Sequence, residues 1–447
     1  MPESGTNVEL PTRTKTDFDV VIVGAGIAGI GSAYHLKTGN PGKSFAIFDE
    51  QESFGGTWHT HKYPGIRSDS DLHTFGYRFK PWRGTPIATA EEIRKYMQEV
   101  ISENDLEKDI HYRHRILTAR WSTERSRWEL EIEDLAQGIT KRISTRFLWM
   151  CQGYYRHDKG YTPEWPGMED FKGTIVHPQE WSDDIDPAGK KIVVIGSGAT
   201  AATLVPSLTE SAEHVTMVQR SPGYFTPGRN RNELAETLRS LEIDPAWIHE
   251  IVRRSILSEG AKRTKAILAN PDAARTELLK GLSSYLDEET IEKHFTPSYA
   301  PWNQRICFVP DGDFFKAMNA GKASVVTDRI EKFTPDGLLL ASGETIDADI
   351  IITATGFDLL AMGGVQFYVD DKPFDFADTV TYRGMMFTGV PNMVWVFGYF
   401  QLDLAGRPCR RLRHSRAQAH GRKQPCDGRS RSRLRRGGNG TAALCRS

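Results

Sequence analysis

The sequence predicts an α/β fold with two nucleotide-binding units, and three observations lead to it. A glycine-rich turn at residues 24–29 lies between an apolar strand and a helical stretch, and a second turn of the same kind lies at residues 196–201. Two further apolar strands, at 146–153 and 349–356, each end in glycine. Because strand, glycine turn and helix in this order form the βαβ unit that binds dinucleotides, we predict two dinucleotide-binding (Rossmann-like) domains.

The first unit contains each part of the dinucleotide fingerprint. Gly24, Gly26 and Gly29 let the backbone approach a pyrophosphate, which the dipole of the following helix stabilises. The next strand ends at Asp49, about 20 residues beyond the last glycine, where a carboxylate can accept hydrogen bonds from a ribose diol. We therefore expect a true nucleotide site here.

The second unit has the same turn but a different residue at the end of its second strand. Gly196, Gly198, Thr200 and Ala201 form the turn and the start of the helix, and Arg220 stands near the place of the ribose acid. A cation there attracts a 2′-phosphate and favours NADPH over NADH; the alternative is an ordinary surface arginine. Two such units in one chain predict two bound dinucleotides, FAD at the first and NADPH at the second.

Composition excludes several other classes of protein. The 447 residues are 39% hydrophobic and include 21 Phe and 10 Trp, enough for large buried cores, so global disorder is excluded. The N-terminus has no apolar run, and no segment approaches the roughly 20 apolar residues of a spanning helix. Five Cys without regular spacing do not form a disulfide framework. These features predict a cytoplasmic protein without a transmembrane segment.

The net charge of −1 conceals a strong asymmetry. Residues 405–447 contain 12 Arg and one Lys against one Asp, and no Phe, Trp, Tyr, Ile or Val, whereas the other 404 residues carry 44 Lys+Arg and 57 Asp+Glu. The basic segment could be a tail that binds nucleic acid non-specifically, a disordered spacer, or an out-of-frame translation of GC-rich coding sequence. We favour the last interpretation and expect no specific nucleic-acid partner.

Two longer motifs narrow the function. Residues 171–181 follow the pattern FxGxxxHxxxW, and residues 55–69 follow the pattern [A/G]GxWxxxx[F/Y]P[G/M]xxxD in full. With these motifs the chain resembles the type I Baeyer–Villiger monooxygenases from about residue 18 to residue 400, most closely the actinobacterial branch that includes the ethionamide-activating monooxygenase. The related flavin-containing monooxygenases have Tyr or Phe in place of Trp181, and Ser182 departs from the longer form of the fingerprint, which ends in Pro or Asp.

The resemblance implies a mechanism and a pair of catalytic residues. NADPH reduces FAD, O₂ adds to the flavin C4a atom, and the peroxyflavin attacks a ketone carbonyl to give an ester or lactone, with S-oxidation as a further activity. Arg305 occupies the position of the family's catalytic arginine, whose fixed charge stabilises the peroxide and the oxyanion. Asp69 matches the carboxylate that orients this arginine beside the FAD. The residues alone leave open an ordinary ion pair between loops.

Further positions take their expected roles from the same motifs. Gly56 and Trp58 are expected beside the flavin. A linker between the two domains is expected to contain Phe171, Gly173, His177 and Trp181; we favour a hydrogen-bonded hinge for His177 over proton transfer, and a packed anchor for Trp181. Metal binding is not expected, since the histidines are scattered without ligand spacing.

Two-dinucleotide flavoproteins also catalyse other reactions. Disulfide reductases need a pair of redox-active cysteines, whereas Cys151 and Cys307 are isolated in the sequence. An N- or S-oxygenating flavin monooxygenase is the nearest enzyme alternative, and a non-catalytic flavoprotein remnant is the alternative from another class. The expected small-molecule partners are O₂ and a ketone, sulfide or thioamide; the sequence does not indicate an oligomeric state.

The motifs divide the chain as follows. Residues 1–16 are a flexible N-terminus, 17–160 with 356–404 form the FAD domain, 161–355 form the NADPH domain with a helical insertion at 225–296, and 405–447 are the basic tail. The family has a flavin-proximal helix where the resemblance stops. We therefore expect weakened FAD retention and uncoupled or absent oxygenation.

The helical insertion carries apolar residues at helical spacing. We interpret them as core and pocket lining rather than a membrane-binding stripe, although peripheral membrane contact stays open. They are Leu234, Leu238, Leu241, Ile251, Ile256 and Leu257.

Overall fold

The computed structural model describes residues 17–396, all of which lie in one compact unit. The predicted flexible segment 1–16, the last part of the predicted FAD domain at 397–404, and the basic tail 405–447 lie outside the described residues. The domain limits given above therefore stay a prediction.

The first part of the chain builds the core of the largest sheet. Its strands and α-helices are β1 (Phe18–Val23), α1 (Ile27–Gly39), β2 (Phe45–Phe48), α2 (Thr57–Thr60), α3 (Leu72–Phe75), α4 (Ala90–Glu103), β3 (Ile110–His111), β4 (His114–Ser122), β5 (Arg127–Asp134), β6 (Ile139–Met150) and β7 (Tyr155–Gly160). Strands β3, β2, β1 and β6 lie side by side in parallel, and β4, β5 and the start of β6 form an antiparallel meander. The last four residues of the central strand β1, Val20 to Val23, are apolar and buried, as expected of a strand covered on both faces.

The middle of the chain builds a second sheet and a group of helices. Its elements are β8 (Thr174–Val176), β9 (Lys191–Ile195), α5 (Ala199–Leu208), β10 (His214–Gln219), β11 (Phe225–Gly228), α6 (Glu233–Ser240), α7 (Pro245–Ala269), α8 (Pro271–Lys280), α9 (Glu288–Phe295), β12 (Cys307–Pro310), α10 (Asp313–Asn319), β13 (Ala323–Thr327), β14 (Ile330–Thr334), β15 (Gly337–Leu340), β16 (Thr345–Asp347) and β17 (Ile350–Thr353). The five-stranded sheet is wholly parallel, in the order β13-β10-β9-β17-β8. This doubly wound order is the one expected of a dinucleotide-binding unit.

The last described part of the chain returns to the first sheet. It contains β18 (Phe357–Leu359), β19 (Gln366–Val369), β20 (Lys372–Pro373), β21 (Thr381–Tyr382), β22 (Met386–Phe387) and β23 (Met393–Trp395). Strand β23 pairs with β6 and β19 pairs with β4, whereas β18 pairs with β7. One sheet is therefore built from the two ends of the described chain and the other from its middle, and the predicted fold class, α/β with two Rossmann-like units, is confirmed.

Helices α6 to α9 form the helical group, and one expectation about its apolar residues is wrong. Leu238 and Ile256 pack against the small buried cluster of Ala235, Ile248 and Val252. The other apolar residues that we expected to be buried are exposed, namely Leu234, Leu241, Ile251 and Leu257. Helical periodicity identifies residues that share a face, but these four side chains, on α6, at its end and on α7, face away from the packed side of their helices, so the interpretation as core was wrong for them.

None of the helices described between residues 17 and 396 is both long enough and apolar enough to cross a bilayer. The longest, α7, has 25 residues and carries charged side chains on several sides.

Candidate functional site

The first glycine turn is closed by contacts that only glycine permits. Gly24 has a φ of +98°, and a Cβ atom there would lie 2.7 Å from the carbonyl oxygen of Cys151 at the end of β6. A Cβ atom on Gly29 would lie 1.8 Å from the carbonyl oxygen of Gly24. Helix α1 therefore packs directly onto the turn, with its N-terminus beside Gly26. This is the arrangement in which backbone N–H groups face a pyrophosphate.

Asp49 lies at the end of β2, beside the same turn. Its carboxylate accepts hydrogen bonds from the backbone N–H groups of Ala25, at 2.6 Å, and Gln51, at 2.7 Å. Burial raises the pKa of Asp49, while the Ala25 and Gln51 N–H groups act in the opposite direction. Because each carboxylate oxygen has a second lone pair, Asp49 can bind the turn and still accept a ribose hydroxyl.

The residues around the first turn fit a bound FAD. Gly55 donates from its N–H to the carbonyl of Ala25, and Gly56, with a φ of +53°, lies against Gly26. Trp58 is half-buried and packs edge-to-face on Phe75 at 5.9 Å.

Gln152 is the position here that the motifs did not indicate. Both polar atoms of its amide are buried without a partner among the described residues. Gly24 lies against its backbone, since a Cβ atom on Gly24 would be 2.8 Å from the Gln152 Cα atom. A buried amide with an unused donor and acceptor beside this turn fits a polar cofactor group.

The second glycine turn repeats the geometry of the first. Gly196 has a φ of +126°, and a Cβ atom there would lie 2.3 Å from the carbonyl oxygen of Ala354 at the end of β17. Gly198 has open space around it, and Ala201 is fully buried in α5. Thr200 stands in the first turn of α5. The backbone is thus free to receive a phosphate group at this helix N-terminus as well.

Arg220 follows β10, at the edge of this second site. It is exposed, and between residues 17 and 396 no carboxylate pairs with it. The preceding residue, Gln219, is buried and donates to the His294 carbonyl and to the Thr327 hydroxyl, so it fixes the end of the strand. The guanidinium of Arg220 is therefore available to an anionic ligand.

Asp69 and Arg305, which are far apart in the sequence, form an ion pair. The Arg305 side chain is 61% exposed and the Asp69 side chain 29% exposed, so the pair faces open space rather than the core. Near it, Trp302 adopts a φ of +69°, which costs a bulky residue on the order of 1–3 kcal/mol. Such strain is tolerated where the surrounding structure holds a loop in one conformation.

The segments that carry the ion pair pack against the second glycine turn and the helix that follows it. The Cys307 thiol, two residues beyond Arg305, donates to the carbonyl of Ser197 in the second turn at 3.7 Å. On the side of Asp69, the Thr200 side chain lies against the hydroxyl of Tyr63, and burial raises the pKa of that phenol to about 12. A Cβ atom on Gly65 would lie 1.7 Å from the Ser207 hydroxyl oxygen of α5. The segment that carries Asp69 is therefore packed onto the second unit.

Tyr155, at the start of β7, lies within electrostatic range of the same pair. Burial raises the pKa of its phenol first of all, the neighbouring Tyr154 acts in the same direction, and the charges of Arg305 and Asp69 oppose each other. The phenol is thus a neutral hydrogen-bond donor at physiological pH.

The four linker residues are placed as follows. Phe171 is buried beside Phe333, and a Cβ atom on Gly173 would lie 2.2 Å from the carbonyl oxygen of Asp349. His177 is buried; its Nε2 donates to the carbonyl of Gly356 at 3.0 Å and its Nδ1 accepts from the Gln179 N–H. Burial lowers the pKa of His177, so its ring is neutral at pH 7.

Trp181, the last of the four, is half-buried against the core of the five-stranded sheet. His177 thus joins the linker to the point where the chain leaves the second sheet for the first.

The two cysteines in the described part of the chain are both free and buried. Burial raises the pKa of each thiol to about 12, against the ordinary thiol range near 9. Neither can form the thiolate that disulfide exchange requires. Residues 17–396 contain no group of three metal-ligating side chains that could hold an ion.

The sequence has extensive similarity to known proteins. The family described as pyridine nucleotide-disulphide oxidoreductase matches residues 18–279. The "probable FAD-binding monooxygenase AlmA" of Acinetobacter sp is 46% identical over 407 residues, which cover 89% of this chain and 81% of the relative. The "FAD-containing monooxygenase EthA" of Mycolicibacterium smegmatis is 46% identical over 385 residues, which cover 86% and 78%.

Solved structures of monooxygenases are also similar to this chain. An oxidized steroid monooxygenase bound to NADP superimposes with a TM-score of 0.70 at 26% identity, over 85% of this chain and 80% of that chain. Cyclohexanone monooxygenase from Rhodococcus sp. Phi1, bound to NADP⁺, has a TM-score of 0.68 at 22% identity over 86% and 80%, which shows a shared fold. With the two glycine turns and no reactive cysteine pair in the described residues, the chain belongs to the FAD- and NADPH-dependent flavoprotein monooxygenases of Baeyer–Villiger type.

Proposed function

We propose that this protein inserts one atom of O₂ next to the carbonyl of a small ketone, giving an ester or lactone, and that the Asp69–Arg305 pair carries this reaction. The observation behind the proposal is that Asp69 and Arg305 meet beside the second glycine turn, with the guanidinium facing open space. In this proposal residues 17–160 and 356–404 hold FAD and residues 161–355 hold NADPH.

The residues around the cofactors would have two roles, cofactor binding and charge stabilisation. Gly24, Gly26, Gly29, Asp49 and Gln152 would hold FAD, which supplies the two-electron chemistry that activates O₂ when reduced by NADPH. The permanently charged guanidinium of Arg305 would stabilise negative charge that develops on oxygen.

The groups next to Arg305 assist it. Asp69 fixes the orientation of the guanidinium through the ion pair, and Tyr155, as a neutral phenol, can donate a hydrogen bond to the carbonyl oxygen of a substrate. His177, neutral and hydrogen-bonded at both ring nitrogens, is suited to a hinge rather than to proton transfer.

A substrate panel tests the reaction type. The purified chain is incubated with NADPH, with and without added FAD, and with a cyclic ketone, a sulfide and a tertiary amine, and the products are identified by mass spectrometry. We expect lactone from the ketone, with or without sulfoxide, in a yield that rises when FAD is added and with part of the NADPH consumed without product. Sulfoxide or N-oxide alone would assign an N- or S-oxygenating enzyme, and no NADPH consumption with any substrate would assign a non-catalytic flavoprotein.

Replacing Arg220 tests the assignment of NADPH to the second site. In the Arg220→Gln variant the KM for NADPH should rise about 10-fold or more, because a charge-assisted contact to the 2′-phosphate is lost, while the KM for NADH should stay within about 2-fold. Steady-state rates with both coenzymes measure this. The exposed Arg254, on α7, is the control: its replacement by Gln should leave both values unchanged. Equal effects on NADPH and NADH would contradict the assignment.

A further inference from the structure

Asp69 lies in a stretch of chain that has few hydrogen bonds of its own. On one side, the N–H of Ser68 donates to the carbonyl of Ala88, and the Ser68 hydroxyl accepts from the Ala88 N–H. The described partners of the Asp69 carboxylate are the Ser70 hydroxyl, at 3.2 Å, and Arg305. The position of Asp69 therefore depends on how the chain is held on its other side, toward residue 76.

On that other side the chain forms the single-turn helix α3. Asp71 caps its start: one carboxylate oxygen accepts from the His73 N–H at 2.9 Å and contacts the His73 ring nitrogen Nδ1 at 2.8 Å. The carbonyl groups at the end of so short a helix have no partners within the helix. They need donors from elsewhere.

Those donors come from Arg253 in the middle of α7. Its Nη1 donates to the carbonyl oxygens of His73 and Thr74 at 2.9 and 2.8 Å, and lies 3.3 Å from the carbonyl oxygen of Gly76. No carboxylate pairs with Arg253 within residues 17–396. The half-buried guanidinium of Arg253 thus hydrogen-bonds, among the described residues, only to backbone carbonyl groups, and these bonds hold the end of α3 in place.

Neighbouring contacts make α7 a fixed support for this stretch. His249 accepts at Nδ1 from the Trp82 N–H at 3.3 Å, and Glu250 pairs with Arg78 through both carboxylate oxygens. One helical turn separates Arg253 from both residues, so they present the same side of α7 to residues 73–82. Helix α7 thus holds residues 73–82, which follow the segment that carries Asp69.

We propose that Arg253 is a positioning residue for the Asp69–Arg305 pair: it fixes helix α3, and through α3 the carboxylate that orients the catalytic guanidinium. The proposal rests on the function proposed above for Asp69 and Arg305. Loss of Arg253 removes the donors from the end of α3, so the segment after Asp69 is then held at Leu72, whose N–H donates to the Pro86 carbonyl and whose side chain is buried.

Hydrogen exchange tests the structural step without any need for activity. In the FAD-loaded protein, Arg253→Gln should speed exchange of the amides in residues 69–77 by about 10-fold or more, and leave β1 unchanged. Arg253→Lys, which keeps the charge and one donor, should restore part of the protection. Lys265→Gln, at an exposed position further along the same helix, is the control and should change nothing in 69–77. Unaltered exchange in residues 69–77 of Arg253→Gln would overturn the proposal.

A double-mutant cycle tests the link to Asp69. Arg253→Gln should lower the fraction of NADPH that is converted to oxygenated product about 5-fold when Asp69 is present, and less than 2-fold in the Asp69→Asn background, because both changes act on one pair. A general loss of stability would lower the yield equally in both backgrounds and would sink the idea. If the unmodified chain forms no oxygenated product, the proposed function fails, while the exchange result still decides the structural step.

Discussion

Replacing Arg305 by Ala is expected to abolish oxygenation while NADPH oxidation continues. In the proposed function the guanidinium supplies a fixed positive charge where negative charge develops on oxygen, and the loss of one such group typically lowers the rate about 100- to 1,000-fold. Product formation should therefore fall by at least about 100-fold. Electrons from NADPH should instead appear as hydrogen peroxide, measured with a peroxidase-coupled assay beside product analysis.

The charge and the geometry of Arg305 can be separated by two companion variants. Arg305→Lys keeps the charge but has a shorter reach and no planar guanidinium to pair with Asp69, so we expect an intermediate rate. Asp69→Asn leaves the guanidinium in place without its orienting carboxylate, and should lower product yield less than Arg305→Ala does. Near-normal product yield in Arg305→Ala would show that the pair is an ordinary ion pair between loops.

The sequence predicted the two nucleotide-binding units because their signals are local. A strand, a turn and a helix lie within about 20 residues, and Gly24 and Gly196 adopt the positive φ angles that the motif requires. The parallel pairing of β1 with β2 and of β9 with β10 follows from the βαβ connection in each unit. In the helical group, the spacing of apolar residues did not predict which of them are buried. Leu241 and Leu257 have the spacing of buried residues, yet both are exposed, because no other described element covers them.

The sequence identifies candidate site residues only where a family motif includes them. Asp69 and Arg305 were selected through family motifs and meet in the structure. Arg253 and Gln152 could not be selected in this way: the first looks like one of two consecutive surface arginines on a helix, and the second follows a strand without any signal. Their significance comes from three-dimensional partners, the end of α3 for Arg253 and the absence of any described partner for the Gln152 amide.

Replacing Gly29 by Ala is expected to disrupt the FAD site. The added Cβ atom would lie 1.8 Å from the carbonyl oxygen of Gly24, so α1 and the glycine turn must move apart. Forced overpacking of this kind costs about 1–3 kcal/mol, which corresponds to roughly a 5- to 150-fold weaker affinity if the strain falls on the bound state. Titration of the FAD-free protein with FAD, followed by flavin fluorescence, measures the change.

Two comparisons indicate that the expected loss of FAD affinity in Gly29→Ala comes from the contact between Gly29 and the Gly24 carbonyl. Ala201 stands at the position equivalent to Gly29 and already carries a Cβ atom, fully buried in α5, so the glycine requirement is specific to the first turn. A Cβ atom on Gly39, the last residue of α1, would have no described neighbour within 4 Å, and Gly39→Ala should bind FAD like the unmodified chain. If Gly29→Ala also bound FAD normally, the tight packing of α1 on the turn would be irrelevant to the cofactor, and the first glycine turn would lose its assignment as the FAD site.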